Sequence, residues 1–568
     1  MGTAFSKLAQ LYSKLGETSS YNKKRIILSS FFKKLNRKEI ISATYLTLGR
    51  IGPIHGDIDL GLAGKMVERA IAQAYRAPQE EVHKLMRQKG DLGLVAEELD
   101  SKKRSALTIA QVHAALLRIK AASGAESQKK KLTLFSSLLK KASALESKYI
   151  VRIVLGHLRI GVGAEALMDA FPTAFPKAKT NRKQLESLYH LSTDMGFVAE
   201  LVSRNKPIPP KKSAVLLGCP IRAMLAQRVK TVADIRKKMA ECKEFAAEEK
   251  YDGERIQIHK NGNRITAFSR RLTNITLQYP AIMEAVKKHL KAKSAILDGE
   301  VVAYKGGKIL HFQKLMQRRR KHDVEKYESE IPAALFLFDI LYMNGKPLMK
   351  KPYPKRRKIL EKAVTPCREI HLAGRFVTQD FGKIHPFFEK CIKRGLEGVI
   401  VKSTVQDSIY EPGVRSWLWI KWKPEYSKGM RETFDLAVIG SYAGRGSRSG
   451  HFGALLCALY NKKKKIFESF TKVGTGYKDS DFAELEKLLK KYKCSKKPSN
   501  VEISSAMKPD IYYRPHVVIE ALGAEITKSP SHSSGYALRF PRFVRLREDK
   551  SAAQATTLKE IEAMKNGK

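Results

Sequence analysis

The six residues Lys250-Tyr251-Asp252-Gly253-Glu254-Arg255 place an amine, a carboxylate and a guanidinium within one short strand and turn. A lysine so placed can act as a nucleophile toward phosphorus. An ordinary lysine, with a pKa near 10.4, is roughly 99.9% protonated at neutral pH, so nearby cations or loss of solvent must lower that pKa first. The Lys-x-Asp-Gly-x-Arg pattern alone arises by chance in roughly one chain in a hundred of this length, and a structural turn is its plain alternative.

Residues that suit the same chemistry recur at the ends of the strands that follow. Arg270 closes a hairpin, Glu300 lies in Leu297-Asp298-Gly299-Glu300, and Phe338-Asp339 ends an apolar run. Glu397 opens the next strand, Arg415 follows the turn at Pro412-Gly413, and Lys421 and Lys423 lie in Trp419-Ile420-Lys421-Trp422-Lys423. Each has an ordinary reading, since charges flank strands routinely and Phe338 could be core. Jointly they suit a pocket for a nucleotide and a divalent cation. The three tryptophans, Trp417, Trp419 and Trp422, all fall in this last stretch and are read as core. Strand alternation puts Trp417 and Trp419 on the side of the two lysines and Trp422 on the other.

Three regions must position these residues. Residues 1–215 read as all-α: Leu8, Leu11 and Leu15 recur at helical spacing, and 132–139 and 149–158 continue it. Thr18-Ser19-Ser20 and Ser42 are read as caps or turns, and Gly161-Val162-Gly163 as a turn between helices rather than a nucleotide loop. Pro207, Pro209 and Pro210 with Lys211 and Lys212 form a stiff basic connector. Residues 216–428 read as α+β: strands 255–259 and 264–268 flank Asn261-Gly262, strand 295–304 turns at Gly306-Gly307, and strands 333–342 and 398–402 follow. Helices are expected at 280–290, 354–363 and 386–394. Beyond the polar stretch 424–431, residues 429–568 read as all-β, with strands at 434–442, 454–460, 465–472 and 516–522, a turn at 444–450 and an inserted helix at 479–492. A small closed barrel fits that spacing. Arg318 to Lys321 and Lys462 to Lys465 are read as a basic loop and a hairpin turn.

At 568 residues several cores are required. The balance of 107 Lys+Arg against 56 Asp+Glu, a formal charge of +51, points to a polyanionic partner, with nucleic acid favoured. The sequence has no 18-residue apolar run, no secretory segment and no cysteine pair at zinc spacing, so a cytosolic, non-membrane protein with six reduced thiols is expected.

In this order the residues resemble the covalent nucleotidyltransferases, and among them the ATP-dependent DNA ligases, over nearly the whole chain. The Gly218 to Ala226 segment looks like the lead into the ligase adenylation domain. Residues 539–550, Arg-Phe-Pro-Arg-Phe-Val-Arg-Leu-Arg-Glu-Asp-Lys, are similar to the last ligase motif. The layout is most like that of the archaeal members. The resemblance implies a helical DNA-binding domain, a nucleotidyltransferase (adenylation) domain and an OB-fold, with ATP and Mg²⁺ as cofactors and nicked duplex DNA as partner to a monomer. It implies that Lys250 attacks the α-phosphate and carries AMP, that Glu248 reads adenine and that Phe338 stacks on it. Arg255 and Glu300 would hold the ribose, Arg270 and Arg415 would contact phosphate, and Glu300 and Glu397 would bind the metal. Lys421 and Lys423 would stabilise α-phosphate charge, while Arg539, Arg542 and Lys550 would orient pyrophosphate.

The sequence departs from the family in two places. Ala223 stands where proline is usual, and the archaeal clamp-binding segment, a glutamine before paired phenylalanines, is not visible at 100–107. Leu28 to Phe32 has similar apolar spacing, but Arg25 stands in place of the glutamine. A buried helix face is the better reading, which leaves a sliding clamp without a recognisable docking segment. An mRNA-capping guanylyltransferase shares Lys-x-Asp-Gly and an OB-fold, and an RNA ligase is a related alternative, but neither normally carries the helical domain. A non-catalytic DNA-binding relative would not need Lys250, Glu300, Glu397 and Lys421 together.

Overall fold

The computed structural model describes residues 2–56, 59–101, 105–207, 215–318, 330–423, 433–444, 451–523 and 525–565. The connector residues 208–214, Lys321, the stretch 424–431 and most of the turn at 444–450 therefore lie outside the described residues. The chain divides into two compact units, Met1–Ser427 and Lys428–Lys568.

The first unit opens with helices whose apolar residues recur every three or four positions. In the helix Phe5–Gly16, Leu8, Leu11 and Leu15 are all buried, which is how an amphipathic stripe faces a core. Reciprocal caps such as Thr108 with Gln111 and Asn181 with Gln184 fix helix starts. Ser20 caps the helix Tyr21–Phe32, whose Leu28 and Phe32 are buried as read. Ser42 is neither cap nor turn: it lies inside the helix Arg37–Thr47, 3.1 Å from His113 Nδ1. Gly161 and Gly163 fall between the helices Ala144–Val154 and Ala164–Ala174.

The rest of this unit carries strands β1 (Leu225–Arg228), β2 (Phe245–Lys250), β3 (Glu254–Asn261), β4 (Arg264–Ser269), β5 (Ser294–Lys305), β6 (Lys308–Ile309), β7 (Ala333–Met343), β8 (Lys346–Pro347), β9 (Ile370–Leu372), β10 (Arg375–Thr378), β11 (Gly398–Ser403) and β12 (Arg415–Trp422). Among the described residues they form two sheets, ordered β1-β12-β11-β2-β10 and β4-β3-β5-β7-β8, with β6 and β9 attached to the second. Pairing is mostly antiparallel, apart from β1 with β12 and β7 with β9. The turns at Asn261-Gly262 and Gly306-Gly307 hold their glycines at positive φ, as tight hairpins require.

Apolar layers cover the back of each sheet: Ile256, Leu297 and Leu337 behind the second, Val399, Val401 and Ile420 behind the first. The helical core continues into Ile221, Met224, Tyr410 and Trp419. Ile221 exchanges hydrogen bonds with the Gln257 side chain at 2.7 and 3.0 Å, and the Gly218 N–H donates to His259 Nδ1 at 3.1 Å, so the segment before β1 laces the helices to β3. Arg318 corrects the basic-loop reading, because it is buried, donates to the Ile331 carbonyl at 2.5 Å and packs over the Tyr279 ring.

The second unit is strand-rich: β13 (Thr433–Ala443), β14 (Phe452–Asn461), β15 (Ile466–Val473), β16 (Lys493–Cys494), β17 (Val501–Glu502), β18 (Ile511–Tyr513), β19 (Val518–Leu522), β20 (Glu525–Lys528), β21 (Tyr536–Arg539) and β22 (Arg542–Leu546), with the helix Asp479–Lys490 inserted. Strand β13 is central, pairing with β14, β18 and β19. The six cysteines are free. Among the described residues no helix is long and apolar enough to cross a membrane.

Candidate active site

Strand alternation turns Glu248 and Lys250 of β2, Lys402 of β11, and Trp419 and Lys421 of β12 to the face opposite the Val399–Ile420 layer. The second sheet contributes Arg255, Asp298, Glu300 and Phe338. Contacts across the cleft tie the two sets together: the Arg255 guanidinium lies 5.8 Å from the Trp419 ring centroid and the Lys402 ammonium 4.8 Å from that of Phe338.

Lys250 ends β2 opposite Gly398. The Glu397 N–H donates to the Lys250 carbonyl at 2.9 Å, and the Glu397 carboxylate contacts the ammonium groups of both Lys250 and Lys423. Gly398 makes this corner possible. Its φ is +142°, and a Cβ there would stand 2.2 Å from the Trp422 carbonyl oxygen. Lys421 is half-buried; burial first, then the charges of Lys250, Arg415, Arg270 and Arg228, bring its pKa down to about 8. Glu300 is pushed up to about 7, burial outweighing the opposing pull of Lys250 and Arg255.

Arg255 is more constrained than a ribose contact requires. Its guanidinium donates to both Asp298 oxygens at 3.1 and 2.7 Å, to the Met224 carbonyl at 2.8 Å and to the Tyr410 hydroxyl at 3.4 Å. Burial opposes its charge, but Asp298 raises its pKa above the ordinary arginine value. Phe338 is displayed by a bulge: Asp298 pairs with Asp339 and Gly299 with Leu337, leaving Phe338 as the extra residue. Bulges re-aim side chains in this way. Behind it the Asp339–Arg356 pair is wholly buried, at 2.8 and 2.9 Å.

Glu248 is buried and fully engaged. The Tyr353 hydroxyl donates to one oxygen, Lys402 Nζ lies 2.5 Å from the other, and Arg357 approaches to 3.7 Å. Arg270 and Arg415 are exposed beside the cleft, Arg415 donating to the Ala226 carbonyl at 2.9 Å. Of the three tryptophans, Trp422 stacks on Phe388 behind the sheet and Trp419 is buried at the cleft. Trp417 corrects the core reading: it is 40% exposed, with Lys238 4.7 Å from its ring centroid. The β1 register jumps from Ser416 to Ile420, so residues 417–419 fall outside that pairing.

In the second unit Arg539 and Arg542 are exposed, and Lys550 is paired with Asp435 at 2.6 Å. Asp435 also accepts from Arg547 at 2.6 Å. Asp298, Tyr353, Arg357, Lys402 and Tyr410 are site residues that the motifs did not single out.

A strand-closing lysine that shares a carboxylate with a second lysine, in a cleft that also holds Glu300, Lys421 and a displayed aromatic ring, defines a nucleotidyltransferase domain. The model of the ATP dependent DNA ligase domain matches residues 223–423, that of the DNA ligase N terminus residues 4–172, and that of the ATP dependent DNA ligase C terminal region residues 448–550. The chain is 50% identical over 549 residues to DNA ligase 1 of Methanosarcina barkeri, covering 94% of this chain and 100% of that protein. It is 47% identical to DNA ligase 1 of Methanosarcina acetivorans, covering 99% of each. A solved structure described as Pmar-Lig_PreS3 shares the fold at TM-score 0.57 and 16% identity, over 95% of this chain and 99% of that one. The chain belongs to the ATP-dependent DNA ligases.

Proposed function

We propose that the protein seals 5′-phosphate/3′-hydroxyl nicks in duplex DNA through a lysyl-AMP intermediate, with domains at 1–215, 216–428 and 429–568. The carrying observation is the meeting of Lys250 with Glu397 and Lys423, with Lys421 and Glu300 both close enough for the Lys250 charge to act on their titration. The three family matches support the domain division.

In this reading the purine lies against Phe338 with its edge toward Glu248. Arg255, held by Asp298, keeps the ribose wall in place beside Glu300, and Arg270 and Arg415 meet phosphate. Lys250 gives up its proton, for which Glu397 is the adjacent acceptor, and its Nζ attacks the α-phosphorus. The P–N bond forms as the bond to the bridging oxygen breaks, and pyrophosphate carries away the electron pair. Lys421 and Lys423 offset charge on the α-phosphate, and Arg539, Arg542 and Lys550 orient pyrophosphate. AMP passes to the 5′-phosphate at a nick, returning the amine, and the 3′-hydroxyl then displaces AMP.

Two carboxylates, Glu300 and Glu397, suit Mg²⁺, which binds through one or two carboxylates plus substrate phosphates rather than in a closed protein cage. Among the described residues no group of three or more acidic, histidine or cysteine side chains forms such a cage. When bound, the ion would supply charge neutralisation to the phosphates.

Incubation with ATP and Mg²⁺ should add one AMP mass to the protein, and Lys250→Ala should abolish it. An unchanged wild-type mass would overturn the reading. Sealing of a nicked duplex with ATP, ADP, GTP and NAD in parallel tests the substrate.

A further inference from the structure

We infer that Lys402 is a positioning residue for nucleobase selection: it fixes Glu248 as a pure hydrogen-bond acceptor, so that a purine is taken only when its 6-position donates. This rests on the proposed reading of the cleft, in which Glu248 meets the base edge and Phe338 its face.

Lys402 is 1% exposed. Glu248 lies 2.5 Å from its ammonium, three rings stand near it, Trp419 at 4.3 Å, Phe338 at 4.8 Å and Tyr353 at 4.9 Å from their centroids, and the charges of Asp339 and Arg357 also reach it. Aromatic faces stand in for part of the lost hydration. Burial lowers the Lys402 pKa, and Glu248 opposes that shift.

A buried ion pair of this kind is weak evidence for stability, because well-packed apolar residues usually serve as well or better. Placement supplies a better reason. The pair joins the group that meets the base edge to the ring that meets the base face. With Lys402 on one oxygen and Tyr353 on the other, both neighbours are donors, and the carboxylate presents acceptor lone pairs to the base edge.

The chemical consequence is discrimination by hydrogen-bond polarity. The 6-amino group of adenine donates to such an acceptor. The 6-oxo group of hypoxanthine or guanine would face it lone pair to lone pair in a site shielded from water, and unmatched buried polar groups reject a ligand strongly. Without the lysine one oxygen loses the cation that holds it, and the carboxylate is free to turn its acceptor lone pairs away from the base edge, which relaxes the penalty on a 6-oxo group.

The test is protein–nucleotide adduct formation from ATP and from ITP, read by intact mass over a concentration series. Lys402→Met should narrow the ATP:ITP ratio of adduct-forming efficiency by roughly tenfold or more, mainly through KM. Glu248→Gln, whose amide can donate or accept, should narrow it as well. Adding Lys402→Met to Glu248→Gln should change the ratio no further, since the lysine acts through the carboxylate. This last pair also decides the matter if Lys402→Met alone fails to fold, because the double variant carries no unpaired buried charge. An unchanged ratio in Lys402→Met, or a further change in the double variant, overturns the inference while leaving the ligase reading intact. A wild-type protein that forms no adduct with ATP overturns both.

Discussion

Glu397 stands between two lysines, its carboxylate touching the ammonium groups of Lys250 and Lys423 while its N–H holds the Lys250 carbonyl at 2.9 Å. The same residue therefore fixes the strand end, holds the nucleophile and balances the second cation. Glu397→Gln keeps the backbone bond but removes the charge and the proton acceptor. Adduct formation from ATP should fall by about 10²-fold or more, followed as the appearance of the AMP mass with time. A rate within a factor of about two of wild type would remove Glu397 from the chemistry.

A net charge of +51 implies that duplex binding releases many counterions. The logarithm of nick affinity should fall with the logarithm of salt concentration at a slope of about −0.9 per neutralised phosphate. Six or more contacts would lower affinity about 10³-fold between about 50 and 200 mM salt. A titration of a nicked duplex at several salt concentrations gives the slope directly, and a flat response would assign the basic excess elsewhere.

Much of the cleft was legible because local chemistry and global fold agree there. Asn261-Gly262 and Gly306-Gly307 set two hairpins, and alternation along Trp419 to Lys423 sorted Trp422 from the lysines. What stayed hidden depends on pairing between distant strands. Phe338 is aimed by a bulge that exists only in the register of β7 with β5. Lys402 reads as the polar end of an apolar strand until β2 places it beside Glu248. Trp417 falls in a jump of register against β1, a strand the sequence did not announce, and before the β11 pairing that begins at Trp419. Arg318 looks basic and exposed in sequence, yet long-range carbonyls claim it. Asp298 lay in the right tetrapeptide, but its role depends on Arg255 and Tyr410 converging on it.

Gly253 tests how tightly the nucleophile's turn is packed. A Cβ at this position would stand 2.3 Å from the Val301 carbonyl oxygen and 2.9 Å from Glu300 Cγ. Backbone cannot yield cheaply, so Gly253→Ala should cost about 1–3 kcal/mol of stability and displace Glu300 as well. Chemical denaturation gives the first effect and the adduct assay the second. Wild-type stability together with wild-type adduct formation would show that the turn relaxes freely.

Adduct formation should trace a bell in pH, because two groups with shifted pKa values must be in opposite states. Glu300 titrates near 7 rather than near 4.5. Folding thus favours its protonated form, and its contribution to stability is greatest in acid and is lost as pH rises through about 7. Lys421 titrates near 8 rather than 10.5. Its neutral form is the one favoured by folding, with a contribution present above 10.5 and lost as pH falls through about 8. Catalysis asks for the states that folding disfavours: an ionised Glu300 to bind the metal and nucleotide, and a protonated Lys421 to face the α-phosphate. The efficiency of adduct formation should therefore rise through about pH 7 and fall above about 8. Lys421→Arg should carry the alkaline limb upward, since guanidinium stays charged. Higher Mg²⁺ should draw the acid limb down by favouring the ionised Glu300. An alkaline limb unmoved in Lys421→Arg would assign that titration to another cationic group that must stay charged.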